Sequence, residues 1–233
     1  MSALVSYSDS DDVSSSDEDA CSPVKKRQKK DDTPQWTRNF PHVDGNWPSY
    51  VYFKVPMTST MRTMMHAAME DTQARADSPL SLVQMDNDDD DDTSLHLSLS
   101  RTFVLKFEQI EPFVQALRLA LKYRKRFRVS FHGHRVLLND ELTRLFVTIP
   151  VSSGKVDVVR VIRCVDTALA RFGLQEYYAD PIPHLSVASS TTILPSLCDQ
   201  DDTSAPPPPV HFDFVHVHAT IGNKHFSIPL LDA

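Results

Sequence analysis

Two stretches decide the reading of this chain: "LHLSLS", Leu95 to Ser100, and "PHLSVAS", Pro183 to Ser189. The triplet His-Leu-Ser occurs in both, 88 residues apart, and each copy lies in an apolar, alternating context. In a β-strand, residues i and i+2 project from one face and residue i+1 from the other. His96 therefore shares a face with Ser98, and His184 with Ser186, while Leu97 and Leu185 turn into apolar packing. If two halves pack about a pseudo-two-fold axis, two imidazoles and two hydroxyls meet in one cleft. Cleavage of a phosphodiester beside a ribose needs such a set. One neutral His takes the proton of the 2'-hydroxyl, one protonated His gives a proton to the departing 5'-oxygen, and the hydroxyls steady the phosphate oxygens. Histidine suits both roles because its ordinary pKa of about 6.5 lies close to neutrality.

Around these triplets the pattern is α+β. Val51, Phe53 and Val55 alternate with Tyr52 and Lys54 and predict a strand. Met57, Met61, Met64, Met65 and Ala68 recur at helical spacing behind Pro56, as core rather than as a cofactor site. "IEPFVQALRLALKYRKRF" predicts an amphipathic helix burying Phe113, Leu117, Leu121 and Ala120. "FRVSFHG", "RVLLN" and "RLFVTIPV" predict an antiparallel meander. "GKVDVVRVIRCVDTALARFGL" predicts a helix stopped at Gly173. "VHFDFVHVHATI" and "KHFSIPL" predict a closing hairpin that turns at Gly222-Asn223. The order reads as two similar halves, each with a helix and one His-Leu-Ser strand.

Residues 1–34 are rich in Ser and Asp and include "KKRQKK", Lys25 to Lys30, which suits a nuclear import signal. Such a tail buries too little apolar surface to offset its ordering entropy. One catalytic domain is expected over 35–233, with an acidic loop at about 77–93 that contains "DNDDDDD" and a Pro-rich loop at about 195–209. The whole chain carries a formal charge of -7. Outside the tail, the acidic run and the Pro-rich loop, 19 basic residues face 14 acidic ones, and that sign suits a polyanionic partner. Cys21, Cys164 and Cys198 show neither metal nor disulfide spacing, so a reducing compartment fits. His216, His218 and His225, like His132 and His134, lack a third ligand at zinc spacing, and no metal or other cofactor is expected. No window reaches the length of a membrane span, so a soluble intracellular protein is expected.

The paired strands resemble those of the two-histidine phosphoesterases. "RNFPHVDGNWPSYVY", "LHLSLSRTFVL", "EYYADPIPHLSVA" and "IGNKHFSIPL" are similar to stretches of the eukaryotic phosphodiesterases that process the 3' end of U6 small nuclear RNA. The resemblance covers roughly residues 36–231. It implies a two-lobed, pseudo-symmetric fold in which each lobe is an antiparallel sheet with helices and offers one HxS strand to a central groove. It implies a metal-independent 3'-to-5' exoribonuclease, a monomer in the nucleus. Its substrate would be the single-stranded 3' end of U6 or another oligouridine- or oligoadenosine-tailed RNA. Transesterification would leave a 2',3'-cyclic phosphate, opened in some members to a 3'-phosphate. His96 and His184 fall on the catalytic positions, Ser98 and Ser186 on the phosphate-binding ones, and Tyr178 on an aromatic that stacks on the terminal base. The second-lobe His acts as base and the first-lobe His as acid in that resemblance. The acidic run before His96 departs from the family, as do Ser189 and Ser190, where an aromatic is common. The alternatives are a general 2',3'-cyclic nucleotide phosphodiesterase and an RNA-binding module without turnover.

Overall fold

In the computed structural model of the chain, described for residues 43, 45–78, 80–84, 94–198 and 207–232, the two triplets lie on neighbouring strands. β3 (Ser94–Ser98) and β8 (His184–Ser190) run antiparallel at the centre of a sheet whose order is β11-β10-β1-β3-β8-β7-β5-β9. Four strands stand on each side of the β3–β8 junction. The first lobe comprises β1 (Asn46–Pro56), β3, β10 (His216–Ile221) and β11 (Lys224–Pro229). The second comprises β5 (Phe127–Phe131), β7 (Leu145–Ser153), β8 and β9 (Val210–Phe214). Three short strands flank this path: β2 (Val83–Gln84) on β8, β4 (Phe103–Lys106) on β1 and β6 (Arg135–Leu138) on β7.

Each lobe repeats a strand, a helix and an HxS strand that pairs with the first. β1, α1 (Ser59–Arg75) and β3 form one unit; β7, α3 (Lys155–Ala170) and β8 form the other. α1 begins where the Thr58 hydroxyl accepts the Met61 N–H at 3.1 Å, and Pro56 is the last residue of β1 rather than a helix start. Met61, Met64, Met65 and Ala68 are buried as their spacing predicts. α2 (Ile110–Leu121) buries Phe113, Leu117 and Leu121, with Ala120 only partly covered, and packs against α3. Gly154 precedes α3 at φ 81°, and a Cβ there would collide with the Arg128 carbonyl.

The lobes are not the halves of the sequence. β9 joins β5 in the second lobe, whereas β10 and β11, a hairpin turning at Gly222-Asn223 as predicted, cross back to β1 in the first. The expected meander is also different. β5 and β6 lie end to end along one edge of β7, because β7 is nine residues long and can seat both. The expected acidic loop holds β2, which pairs with Ser189 and Ala188 of β8. The Pro-rich loop opens with a short helical turn at Pro195–Leu197. The "KKRQKK" and "DNDDDDD" runs, and the boundary expected between residues 34 and 35, lie outside the described residues.

The motif ends meet. Gly222, at φ 57°, donates its N–H to the Pro48 carbonyl at 2.8 Å, and a Cβ at Gly222 would strike the Trp47 ring. Lys224 Nζ stands 5.7 Å from the centre of that ring. "GNW" and "IGNK", far apart in sequence, thus form one contact that ties the C-terminal hairpin to β1.

Candidate active site

Leu97 opposes Leu185 across the β3–β8 junction, and both are fully buried. Each contributes roughly 1.5–3 kcal/mol by burial, so the pair fixes the register as well as the face. Continuing that register by one residue sets Ser98 beside His184 and His96 beside Ser186. All four polar side chains then lie on the face away from the leucines. The outer neighbours follow from the same ladder. Tyr52 pairs with Ser98 and Lys54 with His96 on the β1 side; Pro150 pairs with His184 and Thr148 with Ser186 on the β7 side.

The two imidazoles have different surroundings. His184 Nδ1 lies 2.6 Å from the Ile182 carbonyl, which can only accept, so Nδ1 carries the proton and Nε2 keeps its lone pair. Burial pushes the His184 pKa below its ordinary value, and the Ile182 bond partly offsets that shift. His96 packs on Tyr52 with ring centres 4.1 Å apart, and Tyr50 lies 5.9 Å away. Burial, then the charge of Lys54, then that of His218 push the His96 pKa down to about 4. Tyr52 also faces His218 at 5.6 Å, and Thr220 links Tyr52 to His225 through oxygen and nitrogen contacts of 3.4 and 3.0 Å. Among the described residues, no group of three or more His, Cys, Asp or Glu is placed to hold a metal ion.

Tyr178 is 38% exposed and lies on the loop leading into β8. The Arg101 guanidinium, from the turn after β3, sits 3.9 Å from its ring centre, and Arg101 pairs with Asp140 at 2.9 Å. α3 pins the loop from below. Arg163 donates to the carbonyls of Tyr178 and Ala179, while Asp166 accepts the Tyr177 N–H at 2.7 Å and pairs with Arg163 at 2.9 Å. Asp166 is only 4% exposed on the apolar side of its helix, between Val165 and Leu169. A lone acid on a buried helical face is a signal that the sequence offered. Arg101, Arg163, Asp166, Lys54 and His218 were all missed as members of this neighbourhood, whereas His96, Ser98, His184 and Ser186 are brought together.

Two lobes that each bring one His-x-Ser strand to a shared face define the two-histidine phosphoesterase fold. Residues 12–229 match the HVSL family, described as an uncharacterised conserved protein. U6 snRNA phosphodiesterase 1 of Dictyostelium discoideum is 33% identical over 162 residues, covering 69% of this chain and 56% of that protein. The protein of the same name from Rattus norvegicus is 30% identical over 203 residues, covering 83% and 72%. The chain belongs to this U6 snRNA phosphodiesterase 1 family. It spans about half the length of the first of these relatives, 56% of the Dictyostelium protein. The structure of Kluyveromyces marxianus Usb1 superposes with a TM-score of 0.61 at 16% identity, covering 78% of this chain and 98% of that one. The same protein with uridine monophosphate gives 0.57. At such identity these likenesses show the fold alone.

Proposed function

We propose that the chain is a 3'-to-5' exoribonuclease that trims the oligouridine 3' tail of U6 small nuclear RNA by transesterification and needs no metal. The observation that carries this reading is the Leu97–Leu185 register, which aligns two histidines and two serines on one polar face. His184, with its Nε2 lone pair free, is the base that takes the proton from the 2'-hydroxyl of the penultimate nucleotide. The 2'-oxygen attacks phosphorus, the bond from phosphorus to the 5'-oxygen breaks, and His96 supplies the proton that the departing terminal nucleoside requires. A 2',3'-cyclic phosphate remains on the shortened RNA. Ser98 and Ser186 donate hydrogen bonds to the non-bridging oxygens as charge grows on them. Tyr178 stacks on the terminal base, a contact worth about 1–3 kcal/mol.

His96 must hold a proton in this scheme, although burial and two cationic neighbours disfavour it in the free protein. A phosphate anion beside the ring reverses that balance, since an opposite charge within about 4–6 Å favours the charged form. The relatives named U6 snRNA phosphodiesterase 1 support the substrate, and "KKRQKK" supports a nuclear location. Among the described residues no helix is long and apolar enough to cross a membrane.

The test is incubation of the protein with a 5'-labelled RNA ending in oligouridine, in EDTA, with the ends weighed by mass spectrometry. The expected products are RNAs shortened from the 3' end and bearing a cyclic phosphate. Loss of cutting in EDTA with rescue by a divalent ion overturns the mechanism. Binding without shortening supports the RNA-binding module instead.

A further inference from the structure

The catalytic face does not end at its four catalytic-position side chains. Beyond β8 it meets Pro150 and Thr148, and Thr148 is fully buried with its hydroxyl donated to the Arg135 carbonyl. Beyond β3 it continues across three strands. β1 offers Tyr50, Tyr52 and Lys54; β10 offers His218 opposite Tyr52 and Thr220 opposite Tyr50; β11 offers His225 opposite Thr220. Val51, Phe53, Val55, Val217 and Ala219, the intervening residues, are all buried on the other side. None of the residues that these strands present on this face is an acid.

We propose that this face of β1 and β10 is a subsite for the RNA strand upstream of the reacting phosphate, in which Lys54 and His218 hold the next phosphate towards the 5' end. The proposal rests on the reading of the site as an RNA phosphodiesterase. The terminal base is held at Tyr178, on the loop into β8, so the remaining strand leaves across the other member of the central pair, β3. The polar, aromatic and cationic residues continue in that direction and not towards β7. Lys54 is the direct cross-strand neighbour of His96, and His218 is the neighbour of Tyr52, which packs on His96. Lys54 and His218 stand one and two strands beyond His96, about 4.8 and 9.6 Å across the sheet, so a phosphate between them lies beside the strand that carries His96. Burial, then His216 and Lys54, lower the His218 pKa, and burial, then Lys54 and His218, lower that of His96, so the three side chains stand close together. Such a cluster of cations is stabilised by an anion placed among them. Tyr50 supplies a half-buried ring at the outer margin, where a base or ribose can rest.

Affinity as a function of length tests this. The probes are a uridine dinucleotide and a trinucleotide, both with deoxyribose at the penultimate position so that neither is cut. The trinucleotide adds one phosphate and should bind the native protein about tenfold more tightly, the value of one charge-assisted hydrogen bond. His218→Gln and Lys54→Met should each reduce that increment to about twofold or less and lower the salt slope by about one. His218→Arg, which keeps a cation at the same place, should retain it. Melting curves identify any variant that is not folded, and His218→Arg keeps the test open if His218→Gln is not. An increment that persists in both charge-removing variants, or is absent from the native protein, overturns the subsite. If the native protein shows the increment yet leaves a tail with 2'-hydroxyls uncut, the proposed activity falls and the subsite stands.

Discussion

The strand of His96 and the strand of His184 carry the same triplet on the same face, yet they present their imidazoles differently. His184 is held by its own backbone through the Ile182 carbonyl, and burial alone lowers its pKa. His96 has Tyr52 against its ring, Lys54 across the ladder and His218 one strand further. A near-symmetric fold thus holds an asymmetric site. The repeat supplies two equal histidines, and the unequal flanking strands give one a fixed tautomer and set the other against Tyr52 with Lys54 and His218 nearby.

The largest effect should come from the histidines themselves. His96→Ala and His184→Ala should each lower single-turnover trimming by about 10² to 10⁴. They should part on uridine 3'-(p-nitrophenyl phosphate), whose leaving group needs no proton. His96→Ala should recover most of the native rate there, and His184→Ala should not. Equal losses on that substrate would break the asymmetric assignment.

The serines come next. Ser98→Ala and Ser186→Ala should each reduce kcat by about 10², at the lower end of what one oxyanion donor supplies. Little change in KM is expected, and a pure KM effect would make them ground-state contacts. Tyr178→Ala should act the other way, raising KM by about 10- to 100-fold, as a lost stacking contact of 1–3 kcal/mol implies. Asp166→Asn should give a smaller rise of the same sign with kcat preserved, since Asp166 acts through the Tyr177 N–H and touches no substrate.

The smallest effect is a displacement of the pH profile. Both histidines have lowered pKa values in the free protein, so kcat/KM should peak below pH 6.5. Bound phosphate raises the His96 value, so the kcat profile should peak at higher pH than kcat/KM. Coincident profiles would mean that substrate does not alter the proton affinity of His96.

The central pair of strands was legible because a period of two is a local property. Any strand reading of "LHLSLS" puts His96 with Ser98, and burial of Leu97 and Leu185 then settles the face. The hairpin turn at Gly222 and the methionine face of α1 were legible for the same reason. What escaped is lateral. Periodicity tells which face a residue takes but not which strand stands beside it, so His216 and His218 were weighed only as metal ligands. The structure sets His218 next to Tyr52, in the second shell of strands around His96. The return of β10 and β11 to the first lobe was hidden too, since chain order alone assigns them to the half containing His184. Asp166 was hidden in plain view, as an acid inside the apolar stripe of α3.

The crossing of the C-terminal hairpin has a bearing on how the protein is made. A ribosome releases β1 long before β10, the strand that completes its outer edge by pairing Ser49 through Tyr52 with Ile221 through His218. Throughout that interval the nascent chain holds Val51, Phe53 and Val55 on a strand with one side open, a template for pairing with other chains. The second lobe becomes complete earlier, with β9. The lobe that carries His96 is therefore the later of the two to close, and His96 acquires Lys54 and His218 as joint neighbours only once β10 has been made. A premature stop anywhere between β9 and the Gly222 turn would leave a chain with all four catalytic-position side chains and an unfinished wall beside one of them.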